Sequence, residues 1–183
     1  MNLTYQIIND LSEIDFDDLY ERSRDAINAS WPAESPLTDS ERKEIIRTMI
    51  TSGLNNEWPG LNEHGPNDTY VVVKTIDSDT GNLMSLVCGF ILEGGIFDGR
   101  HSLSAADENG SRNYLYSDSL RQLRSELNQE LQVNKYLYRD IPENSIMHKA
   151  LRLRENTGYY TILEDSQSPT LGPNFRNVLV QFN

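Results

Sequence analysis

Two strand-like runs joined by a short turn sequence restrict the fold of this chain more than any other feature. Tyr70 to Ile76 is rich in β-branched residues and Leu83 to Leu92 is a long apolar run. Between them, Asp77 to Asn82 supplies the Asp, Ser, Thr, Gly and Asn typical of a tight turn. The pattern predicts a β-hairpin. The hairpin ends at Gly94-Gly95, and the residues from there through Gly110 read as a polar stretch.

Helical and extended periods alternate around this hairpin. Leu3 to Ile8 reads as a short strand, and Asp10 or Ser12 is placed to cap a helix carrying Phe16, Leu19, Tyr20, Ala26 and Ile27 at helical spacing. Asp15, Asp17, Asp18 and Glu21 form an acidic first turn that favours the helix dipole and reads as a solvated face. Trp31-Pro32 ends that segment. Thr38 and Glu41 form a capping box before Ile45, Ile46, Met49 and Ile50, and Gly53 stops this second helix. A long loop region of about residues 52–69 follows, with Trp58-Pro59, Gly60, His64, Gly65 and Pro66 as turn residues.

After the hairpin, Asn113 to Tyr116 reads as a strand that enters a helix at Ser117 or Asp118, striped by Leu120, Leu123, Leu127 and Leu131. Lys135 to Arg139 is a further strand, and Pro142 suits the first turn of a helix whose apolar face is Ile146, Met147, Ala150 and Leu151. Gly158 suits a left-handed cap. Tyr159 to Leu163 and Asn177 to Phe182 read as strands joined by a Pro/Gly loop, Ser166 to Pro173. The whole is an α/β (α+β) reading: one mixed sheet flanked by helices, a single domain over residues 1–183.

Composition narrows the function classes. With 28 acidic and 16 basic residues the formal net charge is −12, which disfavours direct contact with nucleic-acid phosphates or anionic membranes. A protein partner is compatible with it. The single cysteine, Cys88, excludes an intrachain disulfide and a cysteine-based metal cluster, and suits a reducing, cytoplasmic setting. No stretch approaches the roughly 18 apolar residues of a membrane helix, and the N-terminus lacks a secretory pattern.

Several motifs read as ordinary structure. Asp77 and Asp79 open like a calcium loop, but Gly81 and Cys88 fall where oxygen ligands belong, so a hairpin turn is the reading. His64, His101 and His148 lack partners at metal-ligand spacing, and no metal site is assigned. Ser102 and Ser104 beside His101 lack the glycine-flanked elbow of a nucleophilic serine.

The element order, closing on Lys135 to Tyr160 with its Gly158-Tyr159 pair, resembles the GNAT N-acetyltransferase superfamily across nearly the whole chain. CGFILEGG, NYLYSD and RENTGYY also resemble segments of small GNAT-like virion-assembly proteins of short-tailed phages. The first resemblance implies acetyl-CoA as acyl donor, with Ser117, Ser119 and Arg121 at its pyrophosphate, Asn144 near its pantetheine arm and Glu93 as base. It also implies a glycine-containing turn at Ser117 to Arg124 and a tyrosine acid at position 154. This chain has no glycine in SDSLRQLR and has Arg154. The second resemblance implies a non-catalytic assembly or binding protein, virion-associated if phage-encoded.

Overall fold

The computed structural model describes residues 3–30, 36–57, 68–105, 132–158 and 160–183. Strand β1 (Leu3–Ile8) leads through a 3₁₀ turn (Leu11–Glu13) to helices α1 (Phe16–Ser30) and α2 (Asp39–Leu54). Strands β2 (Thr69–Asp77), β3 (Leu83–Leu92), β4 (Ile96–Gly99) and β5 (Leu103–Ser104) follow, then β6 (Lys135–Pro142), α3 (Ile146–Glu155), β7 (Tyr160–Ser168) and β8 (Gly172–Phe182).

The strands form one mixed sheet in the order β1-β2-β3-β4-β6-β8-β7, with β5 paired to β3 beyond the end of β4. All neighbours are antiparallel except β4 and β6, which run parallel. The predicted hairpin is β2–β3, pairing Val73 with Val87 and Val72 with Cys88. Asp77 closes its turn by accepting from the Asp79 amide and the Thr80 hydroxyl, which is hairpin chemistry rather than ion binding.

Both hairpin strands are apolar on successive residues because both their faces are buried. On one face, Val71, Val73 and Val87 join Phe97, Tyr136, Tyr138, Leu151, Val178 and Val180. On the other, Tyr70, Val72, Leu86, Cys88 and Phe90 meet Phe16, Leu19 and Tyr20 of α1 and Ile46 and Ile50 of α2. Burying a side chain of this size stabilises by about 1.5–3 kcal/mol, so these two layers carry the fold. The Thr38–Glu41 capping box starts α2 as expected. Asp10 caps the 3₁₀ turn instead of α1, and Asp15 accepts from the Asp18 amide at the α1 start. The acidic turn is exposed and ties the two helices together, Asp17 pairing with Lys43 at 2.5 Å and Arg47 at 2.6 Å.

Four expectations are corrected. The stretch after Gly95, read as polar, contains β4 and β5, because a strand between covered neighbours needs few apolar residues of its own. Helix α2 runs to Leu54 and β2 starts at Thr69, so both ends of the expected 52–69 loop are regular structure; residues 58–67 lie outside the described set. Pro142 ends β6, opposite Phe175, and α3 starts at Ile146 with the Ser145 hydroxyl accepting from the His148 amide. Strands β7 and β8 take up most of the expected 166–173 loop and leave a short turn. The expected strand at Asn113–Tyr116, the leucine-striped helix, Trp31 and Trp58 lie outside the described residues.

Candidate functional site

Parallel strands β4 and β6 stay together for three residue pairs, Ile96 with Lys135, Phe97 with Tyr136 and Asp98 with Leu137, and then part. Beyond that point the chain after β4 keeps to β3: the Arg100 amide donates to the Cys88 carbonyl at 2.7 Å, and β5 pairs with Ser85 and Leu86. Strand β6 instead follows β8. Among the described residues the sheet therefore opens at the carboxyl ends of two adjacent parallel strands, where α/β sheets bind their ligands.

A bulge in β6 makes the separation. The β6–β8 register shifts between Tyr138 and Ile141, and Asp140 takes φ 55°, a left-handed conformation uncommon for a residue with a side chain. Side chains hold it there. The Asp140 amide donates to Asn177 Oδ1 at 3.0 Å, and its carboxylate accepts from the Ser168 hydroxyl. Ser168 in turn accepts from the amides of Thr170 and Leu171 in the β7–β8 turn.

The point of divergence is tied on both faces of the sheet. On one, Phe97 and Tyr136 pack with ring centroids 5.1 Å apart, and Tyr138 lies 4.4 Å from Tyr136. On the other, Asp98 is fully buried and Arg139 Nε donates to its two oxygens at 2.8 and 2.9 Å, with Arg100 at 3.2 Å. A buried carboxylate is tolerable when guanidinium groups replace its water. Because the Arg100 amide faces β3, the alternation of the ladder turns the backbone of Gly99 toward the opening. The face of the sheet has no room for a side chain there, since a Cβ on Gly99 would stand 2.5 Å from the Tyr136 hydroxyl.

His101 lies just beyond, half-buried with φ 54°. Burial, assisted by the Arg100 charge, pushes its imidazole down to about 4. The ring is neutral at physiological pH.

The sequence candidates fall at different places. Asn144, exposed and with φ 63°, occupies the turn between β6 and α3, at the same end of the sheet as the opening. Its amide donates to His148 Nδ1 at 3.4 Å, and His148 Nε2 lies 3.1 Å from Asp165. Glu93 is exposed in the β3–β4 turn, the far end of β4 from the opening. Ser117, Ser119 and Arg121 lie outside the described residues. Asp98, Arg100 and Arg139 were missed. Their signal was a lone Asp between Phe97 and Gly99, directly after a strong hairpin, in the stretch read as polar.

A second charged group sits where α3 meets β7 and β8. Burial alone would raise the Asp165 carboxyl, but hydrogen bonds from Arg176 and His148 and the Arg152 charge together hold it below the usual carboxylate range. Arg176 Nε donates to it at 2.7 Å.

Solved structures share this overall fold. The chain matches a GCN5-related N-acetyltransferase from Kribbella flavida with TM-score 0.55 and 15% identity, over 99% of this chain and 98% of that one. The fold is that of the GNAT acetyltransferases. Further GNAT-fold matches include spermidine N-acetyltransferase from Vibrio cholerae, solved with CoA and spermine, at TM-score 0.53 and 17% identity over 97% of this chain and 93% of that one. An N-acetyltransferase from Staphylococcus aureus matches at TM-score 0.51 and 11% identity, over 100% and 99%. No protein-family model and no curated protein sequence matches. At such identities the GNAT likeness concerns the fold alone. No helix among the described residues is long and apolar enough to cross a membrane.

Proposed function

We propose that this GNAT-fold chain is an acetyl-CoA-dependent N-acetyltransferase whose acyl donor enters between β4 and β6. The observation that carries the reading is the divergence of these strands beyond Asp98 and Leu137, which leaves the Gly99 backbone on the open side. An extended ligand bearing amide groups satisfies such an edge as an added strand would. Glycine at position 99 lets the ligand approach closely, and Asn144 in the turn beyond β6 offers an amide side chain at the same end. Ser117, Ser119 and Arg121 are the residues proposed for the pyrophosphate.

Transfer joins the amine nitrogen to the acyl carbon and releases the thiol, while the amine gives up a proton. The base is not assigned to Glu93 in this reading, because the length of β4, roughly 10 Å, separates its turn from the opening. The proton lost by the amine passes to solvent water, and the departing thiolate takes one up to leave as the thiol.

Titration calorimetry with acetyl-CoA tests the reading. Micromolar binding supports it; no heat and no thermal stabilisation at millimolar ligand removes it, because a ligand that binds the native state must stabilise it.

A second reading, a non-catalytic binding or assembly protein on the same scaffold, is favoured by the outer edge of the sheet. Leu163 in edge strand β7, Leu153 on the adjoining α3 and Leu171 in the β7–β8 turn are exposed large apolar side chains. The lack of glycine in SDSLRQLR points the same way. Co-purification of a protein partner that is lost on Leu153→Asp, together with silence toward acetyl-CoA, would establish this reading over the first.

A further inference from the structure

The Asp98–Arg139 pair lies where the two strands separate, and its geometry follows from register. Asp98 is paired with Leu137, so Arg139 stands two residues farther along β6, on the same face of the sheet, and reaches back to the last paired position of β4. Two opposed devices therefore meet within two residues of β6. The Asp140 bulge, held by Asn177 and Ser168, turns β6 toward β8, while the preceding side chain holds β6 to β4. Asp98 is fully buried, so releasing Arg139 would remove the closer of its two guanidinium partners from a charge held away from water. Arg100 also contacts Asp98, but that contact lies within the β4 side.

We propose that Asp98 and Arg139 form a positioning clamp that fixes where β4 and β6 part, and thereby places the Gly99 backbone edge that an acyl-CoA would meet. The ligand half of this inference rests on the acetyltransferase reading; the clamp itself does not. Each partner acts through the backbone of β4, so neither is a catalytic residue. The aromatic contact between Phe97 and Tyr136 holds the other face at the same level, which lets the clamp loosen without unfolding the sheet.

The test compares the full-length chain with Arg139→Met and with the double variant Asp98→Asn/Arg139→Met. Three quantities are read: thermal midpoint, hydrogen exchange at the Asp98, Arg100 and Leu137 amides, and acetyl-CoA affinity, all well below the midpoint. Arg139→Met leaves the buried Asp98 charge with Arg100 as its remaining partner, so it lowers the midpoint and speeds exchange at these amides by about tenfold or more. The double variant removes that charge and recovers the midpoint. Its exchange stays fast and its acetyl-CoA binding stays weaker than wild type by about tenfold, because the link between strands is still missing. A purely structural pair would recover all three in the double variant, and that result overturns the proposal, as does unchanged exchange in Arg139→Met. Wild-type protein that binds no acetyl-CoA removes the acetyltransferase reading, and the clamp is then decided by the exchange data alone.

Discussion

Gly89 of β3 faces Gly99 of β4 across the antiparallel ladder, and neither position has room for a side chain. A Cβ on Gly89 would stand 2.3 Å from the Asp98 carbonyl oxygen and 2.8 Å from the Phe97 ring. The paired glycines let β4 lie close against β3, beside the point where β4 leaves β6. Rings from the neighbouring positions, Phe97 and Tyr136, fill the space that side chains at 89 and 99 would have used.

Gly89→Ala is expected to destabilise the protein by about 1–3 kcal/mol, since the obstructing atom is backbone and cannot swing aside. Urea denaturation checks this. Gly99→Ala meets the end of the Tyr136 ring instead, so its stability loss should be smaller while its effect on acetyl-CoA binding should be larger. Equal stability losses with unchanged binding would count against the placement of Gly99 at the opening.

His101 makes stability depend on mild acid. Its imidazole is pushed down to about 4 from 6.5, so between those values the unfolded chain takes up a proton that the folded chain refuses. The contribution is complete above about 6.5 and is lost as pH falls toward about 4, for a total of at most roughly 3 kcal/mol. His101→Asn accepts the same positive φ and removes the titration. The stability difference between wild type and variant, followed by denaturant unfolding from pH 7.5 to 4.5, should shrink with acid; a flat difference would contradict the lowered, neutral ring.

Cys88 should be chemically silent in the folded protein. Burial pushes its thiol up to about 12, against a lowering contribution from Tyr70, so almost no thiolate exists at pH 8. A thiol reagent such as Ellman's should label the native chain only as fast as it opens, and label one equivalent after denaturation. Rapid native labelling would mean that the face under α1 and α2 is open to solvent.

Thr38→Ala should lower stability by about 1 kcal/mol through loss of the α2 cap, and Glu41→Ala should do less. The pair measured together should couple, because each side chain bonds the other's amide and Thr38 Oγ1 also lies 2.7 Å from Glu41 Oε2. Thermal midpoints of the two single variants and the double variant give the coupling directly.

Local chemistry accounts for what could be read before the fold was known. The β2–β3 hairpin is written in Val71 to Val73, Val87 and the Asp77 turn, and the α2 start in Thr38 and Glu41, because the partners of each lie within a few residues. Gly158, with φ 72°, shows the same locality at the end of α3.

Strand β4 and the clamp were not legible, and the reason is physical. Ile96 to Gly99 becomes a strand because β3 and β6 supply its hydrogen bonds and Tyr136 covers its glycine, none of which is encoded within four residues. In sequence, Asp98 and Arg139 are two ordinary charges 41 residues apart. Local sequence was enough for the hairpin, the capped start of α2 and the mixed α/β class of an acidic chain. Tertiary structure decided where the sheet opens, because that depends on which strands share a ladder and on a buried charge whose closest partner, Arg139, comes from a distant segment.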